Sequence, residues 1–269
     1  MIITKELTSI GELIEFPFLE GLQDNLHPNR MSYTFRGQPN DKFELKSSIR
    51  RYSGDNYIYC ESRLLNNFKK YGQLVEPMLC ESVWHNMIIA QHYGIPTRCL
   101  DFSISPVVAL YFALTNNFEE QNAVVWAINH SALHKKLLPK KYIDILDKYN
   151  AVSFTVEMLN EMNLSIMNYN DDMKNNSIVF LEPPSIDQRI INQFSHFAVI
   201  PDELDPLDEF LDNIDIDKTV YKFIIPHEKI VKFRKQLDYM NINERILFPG
   251  LDGTANYLKR RYQEKYLDS

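Results

Sequence analysis

The stretch Gln91-His-Tyr-Gly-Ile-Pro-Thr-Arg-Cys-Leu-Asp-Phe-Ser-Ile-Ser-Pro-Val-Val-Ala-Leu-Tyr-Phe-Ala113 holds the end of one helix and the start of the next, with an extended piece between them. Residues 81–93 carry Val83, Trp84, Met87, Ile88 and Ala90 at helical spacing, and Gly94 followed by Pro96 is a helix stop. Residues 97–101 read as extended and 102–105 as a turn. Ser105-Pro106 then supplies an N-cap serine and a proline at the first helical position. Val108, Leu110, Tyr111 and Phe112 bury that helix.

Working outward, residues 8–26 read as a helix interrupted at Pro17, and residues 61–71 as another. Residues 31–37 form a short strand with Tyr33 and Phe35 on one face and Thr34 and Arg36 on the other. Residues 123–128, 178–181, 196–200, 219–225 and 245–248 read as further strands, residues 226–240 as an amphipathic helix, and residues 254 onward as a charged closing helix. Residues 129–176 are polar, with scattered apolar positions, and read as an insertion or a mobile helical segment inside one domain spanning 1–269. Helices early and strands later, with few βαβ alternations, give an α+β domain: a mixed, mostly antiparallel sheet flanked by helices.

Composition removes several function classes. Hydrophobic residues make up 45% of the 269-residue chain, enough for a sizeable core, and eight glycines with thirteen prolines are too few for a disordered or fibrous chain. The net charge of −7 lacks the overall basic footprint of non-specific nucleic-acid binding, although Arg30, Arg36, Lys46, Arg50 and Arg51 cluster early and Lys259, Arg260 and Arg261 late, clusters that read first as solvated surface. Three cysteines without paired spacing argue against a disulfide framework and a structural zinc, so no metal is expected. The first residues lack a basic region leading into a long apolar run, and residues 106–114 are far short of a membrane span. The expectation is a cytoplasmic protein without a membrane partner.

Phe35-Arg36-Gly37-Gln38, the block from Gln91 to Ala113, Arg189-Ile-Ile-Asn-Gln-Phe-Ser-His-Phe197 and Glu244-Arg-Ile-Leu-Phe-Pro-Gly-Leu-Asp-Gly253 together resemble the FRG family, named for its Phe-Arg-Gly motif. The resemblance runs from about residue 30 to residue 258. It implies components of bacterial toxin and anti-phage systems, with an antitoxin or defence-system partner. A weaker resemblance links the order Arg36, Ser103, Glu244 to the R-S-E arrangement of ADP-ribosyltransferases. Phe102-Ser103-Ile104-Ser105 stands where that arrangement has Ser-Thr-Ser, and Ile242 where it has Glu or Gln. This second resemblance implies NAD as substrate and transfer to a nucleic-acid or protein acceptor. Arg36 would hold the NAD phosphates, Ser103 would lie near the ribose, and Glu244 would be the catalytic carboxylate.

The residues themselves leave alternatives beside these roles. Arg36 offers a bidentate phosphate fork or a structural ion pair with Asp101, and Gly37 lets a ligand or another backbone come close. His92, at a helix C-terminus, is an acid–base group or a cap; Tyr93 stacks on a base or packs in the core. Arg98 and Asp101 read first as an organising ion pair and second as direct ligand contacts. Ser105 reads as the N-cap, which leaves Ser103 for function. Glu244 alone would pass for a surface glutamate beside Arg245, and Asp252 for a turn former or helix cap. Gln193 and Arg189 meet substrate or cap a loop. A non-catalytic nucleotide- or partner-binding module fits the same residues. A metal-dependent nuclease needs more clustered carboxylates and histidines than Asp101, His92 and Glu244 supply.

Overall fold

Ala123–Asn129 is apolar through Ile128, so it has no face to give to water and must run through the middle of the molecule. Ala123, Val125 and Ala127 enter one core, while Val124, Trp126 and Ile128 enter another. The computed structural model describes residues 2–19, 32–115, 121–162, 164–174, 177–216 and 218–263, and it places this strand inside an eight-stranded sheet.

The strands are β1 (Ile3–Glu6), β2 (Tyr33–Gln38), β3 (Cys99–Ser103), β4 (Ala123–Asn129), β5 (Phe154–Thr155), β6 (Val179–Glu182), β7 (Ser195–Val199) and β8 (Val220–Ile225). Their order across the sheet is β1-β8-β4-β2-β3-β7-β6-β5. The outer pairs β1–β8 and β5–β6 are parallel and the five inner pairings antiparallel. This is the α+β domain with a mixed, mostly antiparallel sheet that the order of elements suggested.

Three cores hold it. On one face, α1 (Ile10–Glu15), α5 (Pro106–Ala113) and α12 (Ile230–Tyr239) cover β2, β4 and β8 through Leu13, Leu110, Phe233 and Phe35. On the same face, past β2, lies a second core. There α3 (Tyr57–Gly72), α4 (Val83–His92), α7 (Lys140–Lys148), α8 (Val156–Glu161) and α9 (Ile166–Met173) cover β3, β7 and β6. The opposite face carries α6 (His130–Leu137) and α11 (Leu207–Asn213) over Phe102, Trp126 and Phe180. The remaining helices are α2 (Ser48–Ser53), α10 (Gln188–Asn192), α13 (Glu244–Leu247) and α14 (Leu251–Arg261).

Some expectations gain detail or change. Residues 129–176, read as an insertion or a mobile helical segment with scattered apolar positions, form α6 to α9 and β5 where described: Tyr142, Leu146, Leu159, Tyr169 and Met173 converge in the second core, and β5 extends the sheet. Their apolar spacing looked weak because four short helices each contribute only two to four buried positions, some of them polar. Residues 245–248 are not a strand. Asn243 caps α13 by accepting the Arg245 N–H at 3.1 Å, and the N–H of Phe248 closes the turn on the Glu244 carbonyl. Three consecutive apolar residues carry no period by which strand and helix can be told apart. The first helix runs only to Glu15, followed by a 3₁₀ turn at Phe16–Phe18; the expected stretch from 20 to 26 lies outside the described residues. Among the described residues no helix is long and apolar enough to cross a membrane.

Candidate functional site

β2 pairs with β4 over Tyr33 to Gln38, but with β3 at one position only, Phe35 opposite Ser103. One step further the ladder would set Gly37 against Asp101, and there the strands have parted. The reason lies at Gly37. A Cβ on it would lie 1.9 Å from the Ala109 carbonyl oxygen and 2.5 Å from the Ala113 nitrogen, so α5 rests directly on the β2 backbone. Helix α5 thereby fills the side of β2 and leaves the gap toward β3 open. Gly37, expected to admit a ligand or a backbone, admits the backbone of α5.

A cleft of about 930 Å³ opens at this gap. Asp101, Ser103 and Ser195 form its floor, Ala109 and Phe112 of α5 one wall, and Gln91 to Gly94 at the end of α4 another. Arg189 and Gln193 of α10, with Phe248, Pro249 and Asp252, complete the rim. Arg36 belongs by alternation to the other face of β2, yet its side chain turns into the gap. There Nη1 donates to the Asp101 carbonyl, which has lost its ladder partner, and the guanidinium lies 6.0 Å from the centre of the Phe102 ring. Its Nε is buried and meets no hydrogen-bond partner among the described residues. Burial lowers the Arg36 pKa, and the nearby Asp101 charge opposes that.

Two further pairs organise the walls. His92 Nε2 lies 2.7 Å from Asp187 Oδ2, while Asp187 Oδ1 caps α10 by accepting the Ile190 N–H at 2.9 Å. One aspartate thus ties the rim helix to the end of α4. Gln91 Nε2 donates to Asp101 Oδ2 at 2.9 Å and is itself oriented by the Thr97 hydroxyl, which donates to Gln91 Oε1 at 2.6 Å. The Asp101 carboxylate is exposed at the cleft floor rather than paired with Arg36. Tyr93 is 65% exposed, so its ring is available to the cleft, with Phe68 packed 6.2 Å behind it. Of the two positions the sequence offered Tyr93, the core is not where it sits, because α4 ends at His92 and the chain turns outward.

Ser103 lies in the cleft floor, but its hydroxyl is committed. Oγ donates to the Gln193 carbonyl at 2.8 Å and accepts the Ser105 N–H at 3.0 Å. The expected division of labour between the two serines is therefore exchanged. Ser105 occupies the N-cap position without a capping bond from its side chain, and Ser103 organises the helix start.

Arg98 and Glu244 are not brought to the cleft. Arg98 is buried, donating from Nε to Glu61 at 2.9 Å and from Nη1 to Asn170 at 2.7 Å, with Asp202 Oδ1 3.1 Å away. Its organising pair is with Glu61 and Asp202, not with Asp101. Burial acts to lower the Arg98 pKa, but the charge and hydrogen bond of Glu61 together with the charge of Asp202 outweigh it and the net shift is upward. Glu244 sits at the start of α13, where its carboxylate accepts from Arg234 Nη2, from Arg260 Nε at 2.7 Å and from Arg260 Nη2 at 3.0 Å. Arg260 also grips Asp238 at 2.7 and 2.9 Å. Burial pushes the Glu244 carboxyl up, but the bond from Arg260 and the charge of Arg234 prevail and hold it below the usual range. It is a closed ion network, with Arg234 stacked 4.0 Å from the Tyr111 ring centre.

A family match covers the segment that supplies much of this cleft. Residues 31–122 match the FRG domain. The FRG segment contributes β2, β3, α4 and α5, which means the sheet break, Arg36, Gly37, His92, Tyr93, Asp101 and Ser103. The blocks at 189–197 and 244–253 that also resemble the family lie beyond the matched residues. No curated protein and no solved structure matches the chain.

Asp187 escaped the sequence reading. Its signal, an aspartate three residues before Ile190, is that of an N-cap, and the cap is real. Its second bond, to a histidine on a distant helix, has no local trace. Among the described residues no group of three or more His, Cys, Asp or Glu is placed to hold a metal ion.

Proposed function

We propose that the cleft binds a phosphate-bearing nucleotide, with NAD the first candidate, and transfers its ADP-ribosyl group to a nucleic-acid or protein acceptor. The observation that carries this reading is Arg36, whose buried Nε–H has no partner among the described residues while Nη1 is anchored on the Asp101 carbonyl. A guanidinium fork held in that way is short of one acceptor, and a phosphate oxygen supplies it with charge-assisted strength. The exposed Tyr93 ring, which lines the same cleft, offers a stacking surface for a base or nicotinamide.

In the transfer, the bond between ribose C1′ and the nicotinamide nitrogen breaks and its electron pair leaves with nicotinamide. The acceptor oxygen or nitrogen bonds to C1′ and its proton passes to His92. Asp187 holds the Nε2–H of His92, which leaves the Nδ1 lone pair for that proton. Glu244 is enclosed by two arginines, so the carboxylate that faces the developing positive charge is Asp101, oriented by Gln91. A bacterial toxin or anti-phage setting in the cytoplasm, with an antitoxin or defence partner, is part of the same proposal.

A second reading has its own support. Ser103 and Glu244, two of the three residues in the R-S-E order, spend their polar atoms on internal bonds, as suits a cleft that binds a nucleotide without turning it over. Labelled NAD incubated with the protein and a cell lysate separates the two. Label on nucleic acid or protein, lost in Arg36→Ala and Asp101→Asn, supports transfer. Saturable NAD binding without nicotinamide release supports the binding module, and absence of NAD binding refutes both.

A further inference from the structure

The outer face of α2 and α3 carries a charge balance opposite to that of the whole chain. Residues 46–71 hold six basic and two acidic residues in a chain of net charge −7. One of the two acids, Glu61, is buried on Arg98, which leaves Asp55 as the only carboxylate outside. Tyr57, Glu61 and Leu65 form the buried side of α3. Tyr59, Arg63, Asn66 and Lys70 recur at helical spacing on the exposed side. Arg50, Arg51, Arg63, Lys69 and Lys70 meet no carboxylate at ion-pair distance among the described residues.

Aromatic rings are interleaved with these cations. Tyr52, Tyr59 and Tyr71 are all exposed. Arg63 donates from Nη1 to the Tyr59 hydroxyl at 2.6 Å and lies 5.2 Å from its ring centre, and Lys70 lies 5.4 Å from that of Tyr71. The stripe also reaches the cleft. Phe68, on the last turns of α3, packs against Tyr93, which lines the cleft wall. Unpaired cations suit phosphates, and exposed tyrosines suit unstacked bases, each of which presents a π-face. A duplex would satisfy the cations but keep its bases from the rings.

We propose that this face binds single-stranded nucleic acid and leads it to the cleft, so that the acceptor of the transfer is a nucleic acid. The acceptor half rests on the nucleotide reading of the cleft; the binding surface does not.

Fluorescence anisotropy of the full chain with a labelled twelve-nucleotide single strand, as RNA and as DNA, tests it against the duplex of the same sequence. Single strands bind more tightly than duplex, with affinity falling steeply as salt rises. Arg63→Glu with Lys70→Glu lowers the affinity by at least tenfold and flattens the salt dependence. Tyr59→Ala with Tyr71→Ala lowers it by about tenfold while leaving the salt dependence as it was, since stacking carries no charge. The tighter of RNA and DNA identifies the natural strand. Circular dichroism and NAD binding stay unchanged in both variants, because none of the four side chains lines the cleft. The proposal is overturned if the variants bind like wild type, if duplex binds as tightly as single strand, or if anionic vesicles bind and oligonucleotides do not. Oligonucleotide binding through the stripe by a protein that does not bind NAD keeps the surface and removes the acceptor half.

Discussion

Glu244→Gln is the substitution that best separates structure from chemistry in this protein. Arg234, 1% exposed, has Glu244 as its carboxylate partner, whereas Arg260 keeps Asp238 when Glu244 is neutralised. Glutamine preserves the shape and one acceptor oxygen, so the loss is chiefly the uncompensated charge of Arg234. Breaking a buried pair from one side costs roughly 3–5 kcal/mol, and the surviving Arg260–Asp238 pair and the Tyr111 ring under Arg234 place the expectation at about 3 kcal/mol. Urea unfolding reads this as a lower midpoint with an unchanged slope, and a thermal melt as a fall of roughly 6–12 °C. The sign with pH follows from the depressed Glu244 carboxyl. Its contribution is present above the ordinary carboxylate pKa and lost as pH falls through the folded value, so wild type and variant converge in acid. A loss of stability under about 1 kcal/mol, accompanied by loss of NAD turnover, would refute the reasoning and return Glu244 to the chemistry.

Other consequences are as direct. Gly37→Ala forces a methyl into the Ala109 carbonyl and should cost at least the roughly 1–3 kcal/mol of ordinary overpacking, read by urea unfolding; near-neutral stability would show that α5 does not rest on β2 as described. His130, His134 and His196 are packed together without charge, burial lowering His134 to about 4 and His196 to about 3 and His130 well below its ordinary value. The unfolded chain protonates them first, so stability falls as pH drops below about 6.5, by up to about 1.4 kcal/mol per pH unit for each histidine; unfolding measured at pH 7, 6 and 5 should show that slope. Asp187→Asn should lower kcat more than it raises KM and move the pH profile of the transfer, because it releases His92 from its fixed tautomer; an unchanged profile removes His92 as the base.

Much of the architecture was written in local pattern. The alternation of Tyr33 and Phe35 with Thr34 and Arg36, the continuous apolar run of β4, and Gly94-Ile-Pro96 closing α4 each reflect interactions between near neighbours, so they survive without tertiary knowledge. The helix at 244–247 did not, since its three apolar residues carry no period of their own and its burial comes from packing against α10 and α14. Ser103 and Ser105 show the same limit at the scale of one hydroxyl. Either could cap α5, and the Gln193 carbonyl, far away in the chain, decides which one is held.

The class of fold and most of the residues that meet at the cleft, Arg36, Gly37, His92, Tyr93, Asp101 and Ser103, are legible in one dimension, because they lie in two short blocks on elements that local pattern also marks. Which of their atoms remain available depends on partners the fold brings from far along the chain. Arg98 and Glu244 look as free as Arg36 in one dimension, yet Glu61 closes the first and Arg234 with Arg260 the second, while the parted strands leave the Nε of Arg36 without a partner among the described residues. The physical reason is that a buried charge must find its counter-charge wherever the chain brings one, and that search runs across the whole fold rather than along the sequence.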